Sequence, residues 1–198
     1  MKKIKFSLNL GVIDRDNYGN ELIIEYLKQM ALNSNAHDIS IEFLVVFKDV
    51  PIKVELFNAL NYNHLSDNYS KIKRLDVLIN VVDIFSLNSL EDIKFEEFET
   101  FNKIYMFHGI SILLGVNKEL IEKKIVSNRE RITNIDLIKK TKDLGFLYCF
   151  EIQNKKQDLL ELFNKIFDNF ILKLGNINPE LLKNAISYGK ELKKHTNF

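Results

Sequence analysis

A few polar residues stand directly after apolar segments that are typical of buried strands, which is where open α/β sheets bind their ligands. Asp14 and Asp16 follow the first such segment, Ser86 follows DVLINVVDIF, and His108 lies at the end of KIYMFHG. A carboxylate pair can hold Mg²⁺, and a strand-end histidine can act as a base or bind phosphate beside the next helix. The predicted candidate pocket consists of Asp14, Asp16, Asn17, Ser86, Asn88, His108 and Gly109.

The carboxylates after the first strand allow two interpretations. An aspartate pair here resembles the opening of haloacid-dehalogenase-type phosphatases, and Asp14 followed by Asn17 resembles the opening of NYN-type nucleases. Either resemblance implies a Mg²⁺-dependent phosphoester hydrolase that uses Asp14 and Asp16, although the later acidic cluster of both families is missing. In the other interpretation these residues cap the following helix, whose N-terminus favours negative charge.

His108 and Cys149 have structural interpretations as well. A lone strand-end histidine often hydrogen-bonds nearby backbone, and the other histidines lack the spacing of a metal site. Cys149 is the single cysteine and lies in FLYCFEI, where a cysteine packs as a small hydrophobic residue. The sequence has no glycine-rich nucleotide-binding motif and no nucleophile elbow. We therefore expect no cofactor and no bound metal.

The composition is typical of a soluble globular protein. Of the 198 residues, 46% are apolar and 28% are charged, and the formal net charge is +1. Because no large field surrounds such a chain, nucleic-acid binding is not expected. The sequence contains no apolar run of transmembrane length and no signal-peptide pattern, so we expect a cytoplasmic protein that does not bind membranes.

The hydrophobic pattern alternates between strands and helices. Strands are predicted at 4–13, 39–47, 76–85, 103–109 and 146–152. Helices are predicted at 18–32, 52–60, 110–124 and 134–144, with the polar segment 61–70 as a connection. This order predicts an α/β fold, a three-layer α/β/α sandwich around a mainly parallel five-stranded sheet.

The segment SLNSL and its surroundings resemble the DsrE/DsrF-like family of sulfur-relay proteins. In that family a strand ends in a Cys-x-Asn-Ser/Thr-Leu turn, a short helix follows, and a later strand leads to a helix start that contains a glycine. Here the match begins at Asn88, Ser86 stands at the cysteine position, and Gly109 matches the later glycine. The resemblance covers roughly residues 3–120, and LIKKTKDLGFLYCF is an alternative match for the family's closing segment.

The resemblance implies a sulfur-relay fold, but Ser86 changes the chemistry. Family members carry sulfur as a persulfide on a cysteine thiolate, and a serine hydroxyl has too high a pKa and no sulfur to share. The leading hypothesis is therefore a DsrE-like, non-catalytic, oligomeric binding or accessory protein. Whether the protein is an enzyme stays open, with the Mg²⁺-dependent hydrolase as the alternative.

The end of the chain is predicted to form a helical hairpin. Residues 159–174 carry a wide apolar stripe that ends at Gly175, and Asn178 and Pro179 can start a last helix over 179–194. The predicted domains are therefore 1–153, a DsrE-like or Rossmann-like domain, and 154–198, a C-terminal helical appendage. Because the stripe is wider than one core face requires, we expect a homo- or hetero-oligomer through these helices, with the stripe packed inside its own chain as the alternative.

Overall fold

The computed structural model describes residues 6–72, 74–117 and 131–195. The strands are β1 (Phe6–Ile13), β2 (Ala31–Ala36), β3 (Ile41–Phe47), β4 (Val50–Ala59), β5 (Val77–Asp83), β6 (Ile110–Val116) and β7 (Tyr148–Ile152). The helices in these ranges are α1 (Tyr18–Met30), α2 (Tyr62–Ile72), α3 (Leu87–Glu91), α4 (Phe95–Tyr105), α5 (Asn134–Asp143), α6 (Lys155–Ile177) and α7 (Pro179–His195). The predicted α/β class is confirmed, and none of these helices is long and apolar enough to cross a membrane.

One mostly parallel sheet organises the molecule. It has seven strands in the order β2-β3-β4-β1-β5-β6-β7. The strands from β4 to β7 along this order are parallel, while β3 is antiparallel to both of its neighbours. The prediction of a mainly parallel sheet is confirmed, but the predicted number of five strands is wrong. Three observed strands were not predicted, namely β2, which directly follows α1, and β4 and β6, which were predicted to be helices, while the predicted strand over 103–109 is not a strand.

Helices cover both faces of this sheet. Along β1, Leu8, Leu10 and Val12 point into a cluster with α1 and α6, whereas Ile13 joins a second cluster with α2, α4 and α5. Helix α6 supplies Phe163 and Phe167, both fully buried, to the first cluster. The first helix of the predicted C-terminal hairpin therefore belongs to the main core.

The predicted helix over 52–60 is strand β4. The prediction interpreted Pro51 as the start of a helix. A proline often opens a helix, but here it pairs with Val46 beside a two-residue hairpin turn, where the missing amide proton would face away from β3. The turn residues Lys48 and Asp49 have φ of 48° and 64°. Two left-handed residues in a two-residue loop match the twist of the flanking strands, so a hairpin forms without a glycine.

Two other predicted elements are helices instead. The polar segment 61–70 belongs to α2, because Asn61 caps the helix and Tyr62, Leu65 and Ile72 form a buried face. The predicted strand over 103–109 is the last turn of α4 and a loop, since Phe98, Phe101 and Tyr105 continue one helical face. The strand begins only at Ile110, in place of the predicted helix over 110–124, of which residues 118–124 lie outside the described residues.

The last helix packs across the β3–β4 turn. Gly189 of α7 lies so close that an added Cβ would be 1.9 Å from the carbonyl oxygen of Asp49. The Asp49 carboxylate pairs with Lys193 at 2.7 Å, and Lys48 pairs with Asp168 of α6 at 2.5 Å. We call these two ion pairs and the Gly189 contact the turn clasp. The clasp joins the hairpin to both C-terminal helices.

Candidate functional site

The sheet has a topological switch point between β1 and β5. These strands are neighbours and parallel, but β1 leads to α1 on one face and β5 leads to α3 and α4, with α4 on the other face. Because the two outgoing connections diverge, they leave a crevice outside the carboxyl ends of the strands. Such crevices are where open α/β sheets bind ligands.

A cavity of about 420 Å³ occupies this crevice. Its walls come from the segment after β1, the start of α2, strand β5, helix α3 and the first turn of α4. The polar residues that line it are Arg15, Asp16, Asn61, Tyr62, Asn63, Asn80, Ser86, Asn88, Ser89, Asp92 and Glu97. Its size lies within the range of small-molecule sites in proteins.

Two buried polar side chains at the floor of the cavity, Asn80 and Tyr62, lie close enough to interact with each other but have no well-formed hydrogen bond to any described residue. Asn80 of β5 is fully buried, and neither its carboxamide oxygen nor its nitrogen is paired. The hydroxyl of Tyr62, at the start of α2, is also buried and unpaired. Burial raises the pKa of Tyr62, and the adjacent Asn80 only partly offsets this effect, so the phenol stays protonated at neutral pH. The Asn80 nitrogen and the Tyr62 hydroxyl interact loosely with each other, and the Asn80 carboxamide oxygen is an acceptor that no described residue pairs with.

Asp14 serves the backbone at the start of α1. One carboxylate oxygen accepts the N–H of Asp16 at 3.2 Å, and the other accepts the N–H of Asn20 at 2.9 Å. Burial raises the pKa of Asp14, while these backbone N–H groups lower it in part. This geometry agrees with the capping interpretation of Asp14.

The neighbouring residues of this segment have different roles. Arg15 forms an ion pair with Asp92, which follows α3, and so bridges the two sides of the cavity. Asp16 has an exposed side chain that lines the wall. Asn17 is in the left-handed conformation, and its amide oxygen accepts hydrogen bonds from Asn20 at 2.9 Å and Asn58 at 2.8 Å. Asn17 thus ties α1 to the end of β4.

Ser86 and Asn88 follow the carboxyl end of β5, and both line the cavity wall. The half-buried Ser86 is the N-cap of α3, since its hydroxyl oxygen accepts the N–H of Ser89 at 3.2 Å. Asn88 is exposed on the first turn of α3. Asp14 lines a smaller crevice next to the cavity, which shares Asp16 and Ser89 with it.

His108 and Gly109 lie at the opposite edge of the sheet. They precede β6, so they stand at its amino end, and an apolar groove there includes both residues. A Cβ on Gly109 would lie 2.4 Å from the carbonyl oxygen of Asp76, which explains the glycine by close backbone approach. The prediction that His108 and Gly109 share a pocket with Ser86 is therefore wrong. The strand was predicted over 103–109, with these residues at its carboxyl end, but it begins only after them, at Ile110.

No family model matches the chain, and no curated protein matches it. The geometry of the crevice therefore carries the functional proposal.

The described residues contain no group of three or more His, Cys, Asp or Glu side chains that could hold a metal ion. Asp14 and Asp16 line the same small crevice, but both oxygens of Asp14 accept backbone N–H groups at the start of α1. Cys149 is half-buried in β7, and burial raises the pKa of its thiol. A thiol with a raised pKa is a poor nucleophile at neutral pH.

The sequence analysis missed three important residues of the cavity. Asn80 interrupts the apolar run of VLINVVD, and a polar residue inside a buried strand was the signal that it serves a site. Tyr62 and Glu97 gave no such signal, because α2 was predicted as a connection and α4 was not predicted at all. Their approach to the crevice depends on how the chain packs.

Proposed function

We propose that the protein is a non-catalytic binding protein that holds a small polar ligand in the cavity at the switch point. The observation that carries this proposal is the fully buried carboxamide oxygen of Asn80, which lines the cavity and has no hydrogen-bond partner among the described residues. A buried polar group without a partner costs about 1–3 kcal/mol of folding free energy. A ligand that pairs with Asn80 and the Tyr62 hydroxyl offsets that cost, which gives the cavity its affinity.

The cavity can be tested with two tryptophan variants on α3. Asn88 is exposed and lines the cavity, so Asn88→Trp should fill its mouth without disturbing the core. Leu87 is 47% exposed and does not line it, so Leu87→Trp is the matched control. We expect a set of polar fragments, followed by ¹⁵N-detected NMR, to include binders that shift the Asn80 side-chain signal in wild type and in Leu87→Trp. Fragments that bind Asn88→Trp as well as wild type, or a complete lack of binders, would contradict the proposal.

We also propose that residues 86–90 are DsrE-like but do not carry sulfur. The order of strand β5, a turn with Ser86 and the short helix α3 supports the resemblance at this turn. A serine hydroxyl cannot form the persulfide, and the raised pKa of Cys149 disfavours its thiolate. After incubation with a persulfide donor, we expect an unchanged mass by mass spectrometry. A stable mass increase of about 32 Da on Cys149, which corresponds to one added sulfur atom, would contradict this expectation.

The alternative function is a Mg²⁺-dependent phosphoester hydrolase that uses Asp14 and Asp16. A true Mg²⁺ site would stabilise the folded protein by mass action. We expect no rise in melting temperature with millimolar Mg²⁺ or Mn²⁺, because both oxygens of Asp14 already accept backbone N–H groups. A rise that Asp14→Asn and Asp16→Asn both abolish would favour the hydrolase over the binding protein.

Assembly through the C-terminal helices remains part of the proposal. Helix α6 buries Phe163 and Phe167 in its own chain, so neither of the two faces a neighbour. Other apolar side chains of this helix are exposed, with Leu160 at 46%, Leu172 at 64% and Ile177 at 71%. Leu172 and Ile177 both line the apolar groove beside His108 and Gly109 and support a homo- or hetero-oligomeric contact there, whereas Leu160 lies on another side of α6.

A further inference from the structure

We infer that the ligand of the switch-point cavity is a small organic cation that presents N–H donors, such as an amine or a guanidinium group. This inference rests on the proposed binding function and adds the chemical class of the ligand. It depends on the charges of the cavity wall and on the unpaired groups of its floor.

The cavity wall is acidic. Within the described part of the chain, its charged side chains are one arginine and three carboxylates, namely Arg15, Asp16, Asp92 and Glu97. Arg15 is already paired with Asp92. Among the residues that the structure describes, Asp16 and Glu97 form no ion pair, so two carboxylates face the cavity without a cation. Complementary charge is the main source of selectivity at such a wall.

The buried polar floor and the acidic wall belong to the same cavity, which Tyr62, Asn80 and Glu97 all line. The ring of Tyr62 packs against the ring of Phe98, the residue after Glu97, with 6.2 Å between the centroids. Asn80 lies beside the Tyr62 hydroxyl and has a free carbonyl oxygen. A bound N–H donor can therefore reach a carboxylate at the wall and an amide oxygen at the floor. Charge-assisted hydrogen bonds of this kind are about twice as strong as neutral ones.

The cavity offers little to an anion. A phosphate needs an unpaired basic side chain or free N–H groups at a helix start. Among the described residues, the one basic side chain of the wall is paired with Asp92, and Asn61 caps the N-terminus of α2. The N-terminus of α4 has no side-chain cap, but its first turn carries Glu96 and Glu97, whose negative charges oppose an anion there. Phosphorylated and carboxylated ligands therefore meet repulsion at Asp16 and Glu97.

Two glutamates on α4 provide a matched test. Glu97 lines the cavity, whereas Glu96 is exposed in the same helical turn and does not line it. We use agmatine, which carries a guanidinium and an ammonium group and no anion, as the probe in isothermal titration calorimetry. We expect Glu97→Gln to raise the dissociation constant about two- to fivefold, as for a partly exposed ion pair, and Glu96→Gln to leave it unchanged.

The second probe is 4-guanidinobutyrate, in which a carboxylate stands in place of the terminal aminomethyl group of agmatine. We expect it to bind at least about tenfold more weakly than agmatine, and we expect agmatine binding to weaken as NaCl rises from 50 to 500 mM, because salt screens the wall charges. Equal binding of the two probes, or equal effects of Glu97→Gln and Glu96→Gln, would overturn the inference.

The outcomes for the ligand class and for the binding function can be distinguished. If neutral or anionic fragments bind in a manner that Asn88→Trp blocks while agmatine does not bind, the binding function stands and the cation inference fails. If agmatine binds equally well to Asn88→Trp and to wild type, its site lies outside the cavity and the inference fails as well. If no fragment and no agmatine binds, both proposals fail.

Discussion

Asn80 places a carboxamide in a central strand position that normally carries an apolar side chain. We expect Asn80→Leu to raise the free energy of unfolding by about 1–3 kcal/mol, because the variant removes a fully buried carboxamide whose oxygen has no partner among the described residues. The same variant should lose binding to the cavity. Urea denaturation measures the first effect and calorimetry the second. A variant that is less stable than wild type would show that Asn80 has partners within the folded protein.

The Asp14 carboxylate gives a pH-dependent prediction. Burial raises its pKa above the unfolded value near 3.8, so the folded state holds its proton more tightly than the unfolded state. The Asp14 contribution to stability therefore falls as the pH rises from about the unfolded pKa to above the folded one. Asp14→Asn lacks this titration and should be less stable by about 1–3 kcal/mol, because its amide nitrogen faces a backbone N–H donor.

A comparison of wild type with Asp14→Asn separates the titration of Asp14 from that of the other acidic groups, which both proteins share. The difference in the free energy of unfolding between wild type and Asp14→Asn should narrow from pH 4 to pH 7. A difference that widens with pH would mean that the backbone N–H groups lower the Asp14 pKa by more than burial raises it.

The individual residues of the site were only partly predictable. Asp14, Asp16, Ser86 and Asn88 could be placed at the carboxyl edge, because each follows a strand whose apolar pattern is strong. The position of His108 could not be predicted, because the apolar residues of KIYMF, which precedes it, fit a strand as well as the last turn of a helix. An apolar run of this length does not decide between the two.

At the scale of elements, helix α7 depends on close contact with the β3–β4 turn. We expect Gly189→Ala to destabilise the protein by about 1–3 kcal/mol, since its Cβ would lie 1.9 Å from the Asp49 carbonyl oxygen and either the helix or the turn must move. Thermal denaturation followed by circular dichroism measures the effect.

Gly175 of α6 is the matched control for Gly189. Its added Cβ would meet only the flexible end of Leu182, at 3.3 Å. Alanine stabilises a helix interior by about 1 kcal/mol relative to glycine, so Gly175→Ala should be neutral or stabilising. If both alanine variants lose the same stability, the turn clasp does not explain the requirement at Gly189.

The elements that the sequence did not predict share a physical cause. Strand β4 depends on a hairpin turn formed by Lys48 and Asp49 at positive φ, and lysine and aspartate are not the usual residues of that turn. Helix α2 is polar on its solvent side, so its buried face of three residues is hard to recognise without the sheet beside it. Strand β2 has no buried residue and forms only as the edge partner of β3. Each depends on tertiary contacts more than on local propensity.

At the scale of the whole molecule, assembly can be separated from folding by two substitutions on α6. Phe167 is fully buried, so Phe167→Asp should cost at least about 3–5 kcal/mol through the lost side chain and the buried charge. Leu172 is 64% exposed, so Leu172→Asp should keep the fold. If α6 forms the oligomer contact, light scattering should show that Leu172→Asp has a smaller mass than wild type at micromolar concentration. A wild type that is already a monomer would contradict the proposed assembly.

The turn clasp also affects how the chain folds during synthesis on the ribosome. Lys48 and Asp168 are 120 residues apart, and Asp49 and Lys193 are 144 apart. At about 5–20 residues per second, the ribosome needs about 7–29 s after making the turn to add the last partner of the clasp. During that time the β3–β4 hairpin lacks the helices that later cover it. Nascent chains arrested before residue 168 should therefore be cut by protease within β3 or β4, whereas released chains should resist.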